Sequence, residues 1–100
     1  MTRLPEGLRK HGETRTFDET SVPAKLLDLH DTKPGVWGRL VVEDGALDYI
    51  VPGPPEVIER ISAGGFGVIE PTVLHRVSPC GAVRFRVEFL SFPEPGRDED

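Results

Sequence analysis

Short runs of apolar residues, separated by proline and glycine, make up most of this chain. Residues 82–92 form the longest run and alternate apolar with charged residues at the period of two that a β-strand requires. Residues 36–42 predict a second strand, and the Asp44-Gly45 pair that follows predicts a hairpin turn back into residues 46–51. No stretch keeps a helical period over three turns. The pattern predicts an all-β fold of roughly eight short strands, arranged as a sandwich or barrel.

The chain divides into one folded unit and two polar ends. Residues 14–92 are predicted to form a single domain, because 100 residues leave no room for a second one. Residues 1–13 are predicted to be a flexible arm, and the acidic residues 93–100 a disordered tail. Since a domain of this size buries only a small core, we expect a homodimer that covers further apolar surface.

Composition narrows the function classes. The net charge is −5 and no basic stripe runs through the sequence, which argues against a nucleic-acid partner. No apolar run approaches the ~20 residues of a membrane span, and the N-terminus does not resemble a signal peptide. The single cysteine, Cys80, allows no intrachain disulfide and has no adjacent base to activate it as a nucleophile. We therefore expect a cytoplasmic protein with neither a membrane nor a nucleic-acid partner.

Three segments carry the residues best suited to chemistry. The first runs from His30 through Lys-Pro-Gly-Val-Trp-Gly-Arg-Leu to an Asp-Gly pair. The second has Gly65, five residues, Pro71, three residues and then His75. The third is Arg-Phe-x-Val-Glu-Phe, which places Glu88 on the last predicted strand. A histidine before a strand, followed by a Gly-x5-Pro loop and a second histidine, has the outline of the two cupin motifs.

As an ordered series over residues 20–92, these segments resemble the small cupin-like family related to the N-terminal region of the tellurite-resistance protein TehB and to the YeaR proteins. The resemblance implies a cupin-type β-barrel, also called a double-stranded β-helix or jelly roll. It also implies a protein that is commonly dimeric and that in some members holds a divalent metal such as zinc. The methyltransferase of the longer family members is not implied, because this chain has no room for it and no glycine-rich nucleotide fingerprint.

The match to the general cupin pattern has gaps. The usual first motif has two histidines one residue apart and then a glutamate, whereas here Asp31 and Thr32 follow His30, and Gly38 stands where the glutamate would be. The second motif is one residue shorter between proline and histidine. A metal site must therefore recruit a ligand from elsewhere. Two imidazoles and a carboxylate can hold a metal with open positions, so the predicted ligands are His30, His75 and Glu88.

The predicted cofactor is one divalent metal ion, zinc in the first place and iron or nickel as alternatives. Glu88 has an alternative role as an ion-pair partner of Arg39, Arg84 or Arg86. Arg39 is predicted either to bind an anionic ligand in the barrel lumen or to pair with Glu88.

Three functions stay open at this point. The first is a metal-binding module that binds or senses an unidentified small molecule in the barrel lumen, with a stress- or tellurite-related role by family resemblance. The second is a metal-dependent enzyme, an oxygenase, isomerase or hydrolase, for which Glu70, Asp31 and Tyr49 are the candidate acids and bases. The third is a structural dimerisation module. The fold class alone does not choose between them.

Overall fold

A computed structural model describes residues 3–93 of the chain and shows strands joined by short loops. The elements are β1 (Arg9–Glu13), β2 (Phe17–Asp18), α1 (Ala24–Leu27), β3 (Trp37–Val51), β4 (Val57–Ser62), β5 (Phe66–Ile69) and β6 (Arg76–Ser91). The only helix in this part of the chain is the four residues of α1. The predicted all-β class is therefore confirmed.

All the strands belong to one antiparallel sheet whose centre is the β3–β6 pair. The order is β1-β6-β3-β4, with β2 also pairing with β6 and β5 also pairing with β3. The two central strands run together from the Trp37–Leu90 pair to the Ile50–Arg76 pair. Within residues 3–93 the outer strands β1 and β4 do not pair with each other, so the sheet is open. A closed cupin-type barrel is not confirmed.

The predicted hairpin at Asp44-Gly45 is wrong, because β3 continues through it as a bulged strand. The register with β6 shifts between Val42 and Asp44 and again between Gly45 and Leu47. Gly45 has a φ of +73°, and a Cβ there would lie 2.0 Å from the carbonyl oxygen of Ala82. A left-handed glycine in a strand is the mark of a bulge, which bends the strand without reversing it. The Ser-Pro-Cys-Gly segment at residues 78–81, whose composition is typical of a turn, likewise lies within β6.

These bulges fold the β3–β6 ribbon over on itself. A straight strand would separate Val77 from Val87 by about 33 Å, yet both side chains line the same cavity. The concave side, here called the inner face, carries Leu40, Val42 and Phe85, each at most 1% exposed. The opposite side, the outer face, carries the alternating charged residues. Bending therefore converts a two-faced ribbon into a fold with one core and one cavity.

The N-terminal segment takes part in this sheet. Residues 9–13, which lie within the predicted arm at 1–13, form β1 and pair with the last residues of β6. Of the predicted tail at 93–100, all but Pro93 lies outside the described residues. No helix among residues 3–93 is long and apolar enough to cross a membrane.

Candidate functional site

A cavity of about 340 Å³ opens on the inner face of the folded ribbon. Its apolar lining consists of Leu26, Val36, Leu40, Ile69, Val77, Phe85, Val87 and Phe89. Its polar lining consists of Thr14, Lys25, His30, Asp31, Thr32, Lys33 and His75. Because the apolar residues are mostly buried and Lys25, Asp31 and Lys33 are exposed, the floor is apolar and the rim is polar. A concave apolar pocket with a few polar groups is the usual form of a small-molecule site.

The backbone brings the two predicted histidines together at this cavity. His30 and His75 form an isolated antiparallel bridge. The His30 N–H donates to the His75 carbonyl at 3.0 Å, and the His75 N–H donates to the His30 carbonyl at 2.9 Å. The two imidazole rings meet edge to face, with their centroids 4.2 Å apart. Two residues that are 45 positions apart in sequence are thus fixed side by side by main-chain bonds.

Each imidazole is also oriented by its own chain segment. Nδ1 of His30 lies 2.9 Å from the Asp28 carbonyl oxygen, and Nδ1 of His75 lies 2.9 Å from the Val73 carbonyl oxygen. A carbonyl oxygen only accepts, so Nδ1 must carry the proton in both rings. In the neutral form this leaves the Nε2 lone pair available, and neither Nε2 has a hydrogen-bond partner within residues 3–93.

The two histidines differ in exposure. His75 is 2% exposed, whereas His30 is half-buried at the cavity rim. Burial lowers the pKa of His75 below 6.5, and the nearby His30 lowers it further, against an opposing hydrogen bond to Val73. The Tyr49 ring packs 5.3 Å from the His75 ring, and burial raises the pKa of Tyr49 to about 12. His75 is therefore held in the neutral form that a metal ligand or hydrogen-bond acceptor needs.

Loop contacts hold the segments that carry the histidines. The Thr32 hydroxyl donates to the Glu70 carbonyl at 3.3 Å, and the Thr72 N–H donates to the Thr32 carbonyl at 3.1 Å. The loop after His30 is thus tied to the loop before His75. The rim of the cavity is built from two connected loops.

Glu88, the third predicted ligand, lies elsewhere. Its neighbours Val87 and Phe89 line the cavity, so strand alternation places Glu88 on the outer face. Its carboxylate accepts from Nε of Arg39 at 2.7 Å and from an Arg86 Nη at 2.9 Å. The structure thus brings His30 and His75 together and does not bring Glu88 to them. No group of three histidine, cysteine or acidic side chains in residues 3–93 is arranged to hold a metal.

Arg39 lies on the outer face as the direct cross-strand partner of Glu88. Arg39 was predicted either to bind an anion in the lumen or to pair with Glu88, and its position corresponds to the ion pair. Burial alone would raise the pKa of Glu88, but the hydrogen bonds from Arg39 and Arg86 outweigh that effect and hold it below 4.5. Glu88 is therefore a buried anion with its charge satisfied.

Sequence reasoning missed the two cationic residues of the cavity, Lys25 and Lys33. Lys33 lies in the Lys-Pro-Gly segment that suggested the family, three residues after His30, so the sequence contained enough to predict it near the site. Lys25 lies on α1, where nothing in the local pattern marks it. Among the predicted acids and bases, Asp31 lines this cavity, whereas Glu70 and Tyr49 line a separate one of about 410 Å³.

Comparison with known proteins supports the resemblance. Residues 12–87 match the TehB-like domain. The uncharacterized protein YeaR of Escherichia coli strain K12, and that of strain O157:H7, are each 27% identical over 103 residues, covering 94% of this chain and 87% of the relative.

Solved structures agree. A crystal structure of a protein from E. coli K12 has a TM-score of 0.85 at 27% identity and covers 94% of this chain and all of the other. TehB from Haemophilus influenzae has a TM-score of 0.78 at 20% identity, over 87% of this chain and 32% of TehB, and this likeness concerns the fold alone. With more than two thirds of its residues matched to the domain, the chain belongs to the TehB-like family.

Proposed function

We propose that this protein is a binding module for a small molecule, with a divalent metal held at the rim of the inner-face cavity by Nε2 of His30 and of His75. The observation that carries the proposal is the anchoring of both Nδ1 atoms on main-chain carbonyls. Metal-binding histidines commonly donate their second ring N–H in this way, which fixes the tautomer and orients the ligand atom.

The donor set fits zinc as two ligands of an incomplete shell. Zinc sites with open positions usually have three protein ligands. In the part of the chain that the structure describes, this cavity offers the two imidazoles and the exposed Asp31. When bound, the metal would supply a Lewis-acidic centre with free positions for the small molecule. The chain itself contributes the apolar floor, which removes the ligand from water, and the two oriented imidazoles. In this proposal the folded ribbon serves as the lumen of a cupin-like module.

Binding is better supported than catalysis. An enzyme needs an acid or base beside the reacting atoms, and of the three candidates only Asp31 lines the cavity. The homodimer, the cytoplasmic location and any stress- or tellurite-related role stay predictions.

Calorimetric titration of the metal-free protein with zinc tests the proposal. Asparagine at position 30 or 75 can keep a donor to the main-chain carbonyl while removing Nε2, so His30→Asn and His75→Asn separate metal ligation from local structure. We expect one zinc per chain, and a loss of at least about 100-fold in affinity in either variant.

The third histidine of the chain provides the control. His11 is exposed on β1 and contacts Ser91, away from the cavity. His11→Asn should therefore bind zinc as the wild type does. Unchanged zinc affinity in His30→Asn and His75→Asn, with melting curves that show both variants folded, would contradict the metal proposal.

A further inference from the structure

The polar rim of the inner-face cavity carries more positive than negative side chains. The chain has three lysines, and two of them, Lys25 and Lys33, line this one cavity. Among the described residues, Asp31 is the only acidic one in its lining. In a protein whose net charge is −5, the rim thus carries two cations against one anion. A binding site that was selective for a neutral ligand would have no need of this excess.

The floor beneath the rim excludes ions. Leu40 and Phe85 are fully buried, and Val77, Val87 and Ile69 are each at most 6% exposed. Charged groups are not transferred into such a surface without a partner, whereas methylene groups are. A ligand that satisfies both parts has an apolar body on the floor and a negative head at the rim.

We infer that the cavity binds a small amphipathic carboxylate, with the carboxylate at Lys25 and Lys33 and the hydrocarbon body against the floor. The inference rests on the proposed use of this cavity as a ligand site, but it does not require the metal. The volume of about 340 Å³ is at the lower end of the range for ligand pockets, which favours a short alkyl or single-ring acid over a lipid.

The probe is octanoate, compared with octan-1-ol, which has the same chain and no charge. Both are titrated into the full-length protein by calorimetry in the presence of a chelator, so that no metal contributes. We expect the Lys25→Met/Lys33→Met double variant to lose about tenfold in octanoate affinity, because exposed ion pairs each contribute only modestly. Its octan-1-ol affinity should not change, because the alcohol has no charge to pair with the lysines. The octanoate affinity of the wild type should also fall with added salt.

Lys10→Met is the matched control. Lys10 is the remaining lysine and lies on β1 beside Glu13, outside the cavity lining. Its replacement should leave octanoate binding unchanged. Shortening the acid to hexanoate should weaken binding by about fourfold per methylene removed, because each methylene is buried on the floor.

Two results would overturn the inference. One is octanoate affinity in the double variant equal to that of the wild type. The other is an equal loss for octanoate and octan-1-ol. The metal proposal fails separately, through the zinc titrations of the histidine variants. Lysine-dependent octanoate binding without any zinc binding would therefore support the carboxylate site and reject the metal.

Discussion

Each face of the β3–β6 ribbon carries a buried titratable group, and the two groups differ in how many hydrogen-bond partners they have. On the outer face, Glu88 is 3% exposed and its carboxylate is bonded by Arg39 and Arg86. On the inner face, His75 is 2% exposed, but within residues 3–93 only its Nδ1 has a hydrogen-bond partner. The outer group has its charge satisfied within the fold, whereas the inner group keeps a free lone pair beside a cavity. Both groups are buried, so what makes His75 a candidate ligand is its unbonded Nε2 lone pair, which the carboxylate of Glu88 does not match.

The apolar half of the inner face should dominate stability. Phe85 is fully buried, packs on Phe17 with ring centroids 5.8 Å apart, and also forms part of the cavity floor. Phe85→Ala should lower the free energy of unfolding by about 3–5 kcal/mol, through lost transfer free energy and the void it leaves. Urea denaturation measures this difference.

Phe66→Ala is the control for the outer face. Phe66 is 50% exposed, and its ring faces the Arg39 guanidinium at 5.7 Å. Its loss should cost at most about 1 kcal/mol. Equal costs for the two phenylalanine variants would show that the faces do not differ as described.

Removing the charge of Glu88 should have the next largest effect. Glu88→Gln keeps the shape of the side chain but removes the anion that pairs with Arg39, whereas Arg86 keeps its bond to Glu43. The free energy of unfolding should therefore fall by about 1–3 kcal/mol. Glu13→Gln, on a side chain that is 44% exposed, should cost no more than about 0.5 kcal/mol. Chemical denaturation at neutral pH compares them.

The same variant sharpens the contrast between the faces. Because Glu88 lies on the outer face, Glu88→Gln should leave the zinc affinity of the cavity unchanged. Weaker zinc binding in this variant, with the fold intact, would place Glu88 among the metal ligands and contradict its assignment to the outer face.

His75 should make the free energy of unfolding depend on pH, by less than the substitutions above change it. Burial holds the pKa of His75 below 6.5 in the folded protein, so between that value and about 6.5 the unfolded chain binds more protons. The stability from the neutral ring is therefore complete above about pH 6.5 and decreases as the pH falls toward the folded-state pKa. Urea midpoints in chelator at about pH 7 and about pH 5.5 measure it.

His75→Asn should reduce this slope. The groups that surround His75 are His30, Asp31 and Tyr49, and burial raises the pKa of Tyr49 to about 12, far above this window. Glu88 titrates below 4.5 and does not contribute there either. An unchanged slope in the variant would contradict the assignment of this pH dependence to His75.

Local sequence was sufficient to predict the all-β class, the strand at residues 82–92 and the two faces of that strand. These features follow from local alternation, which places Val87 and Glu88 on opposite sides whatever the strand pairs with. The sequence also suggested the family, through an ordered series of short motifs. It marked His30 and His75 because each is a possible ligand next to a backbone-fixing turn.

How these strands and loops meet depends on long-range pairing, which local sequence does not specify. Asp44-Gly45 has the same local signal in a hairpin and in a bulge, and the neighbouring strand β6 selects the bulge by pairing on both sides of it. The sequence is compatible with Glu88 as a metal ligand or as an ion-pair partner, and the bend of the β3–β6 ribbon determines that its face lies opposite the cavity. Lys25 joins the cavity because α1 packs near β6, which local sequence does not encode. The period of two in a strand predicts which side chains share a face, whereas long-range strand pairing determines whether that face lines the cavity or faces the solvent.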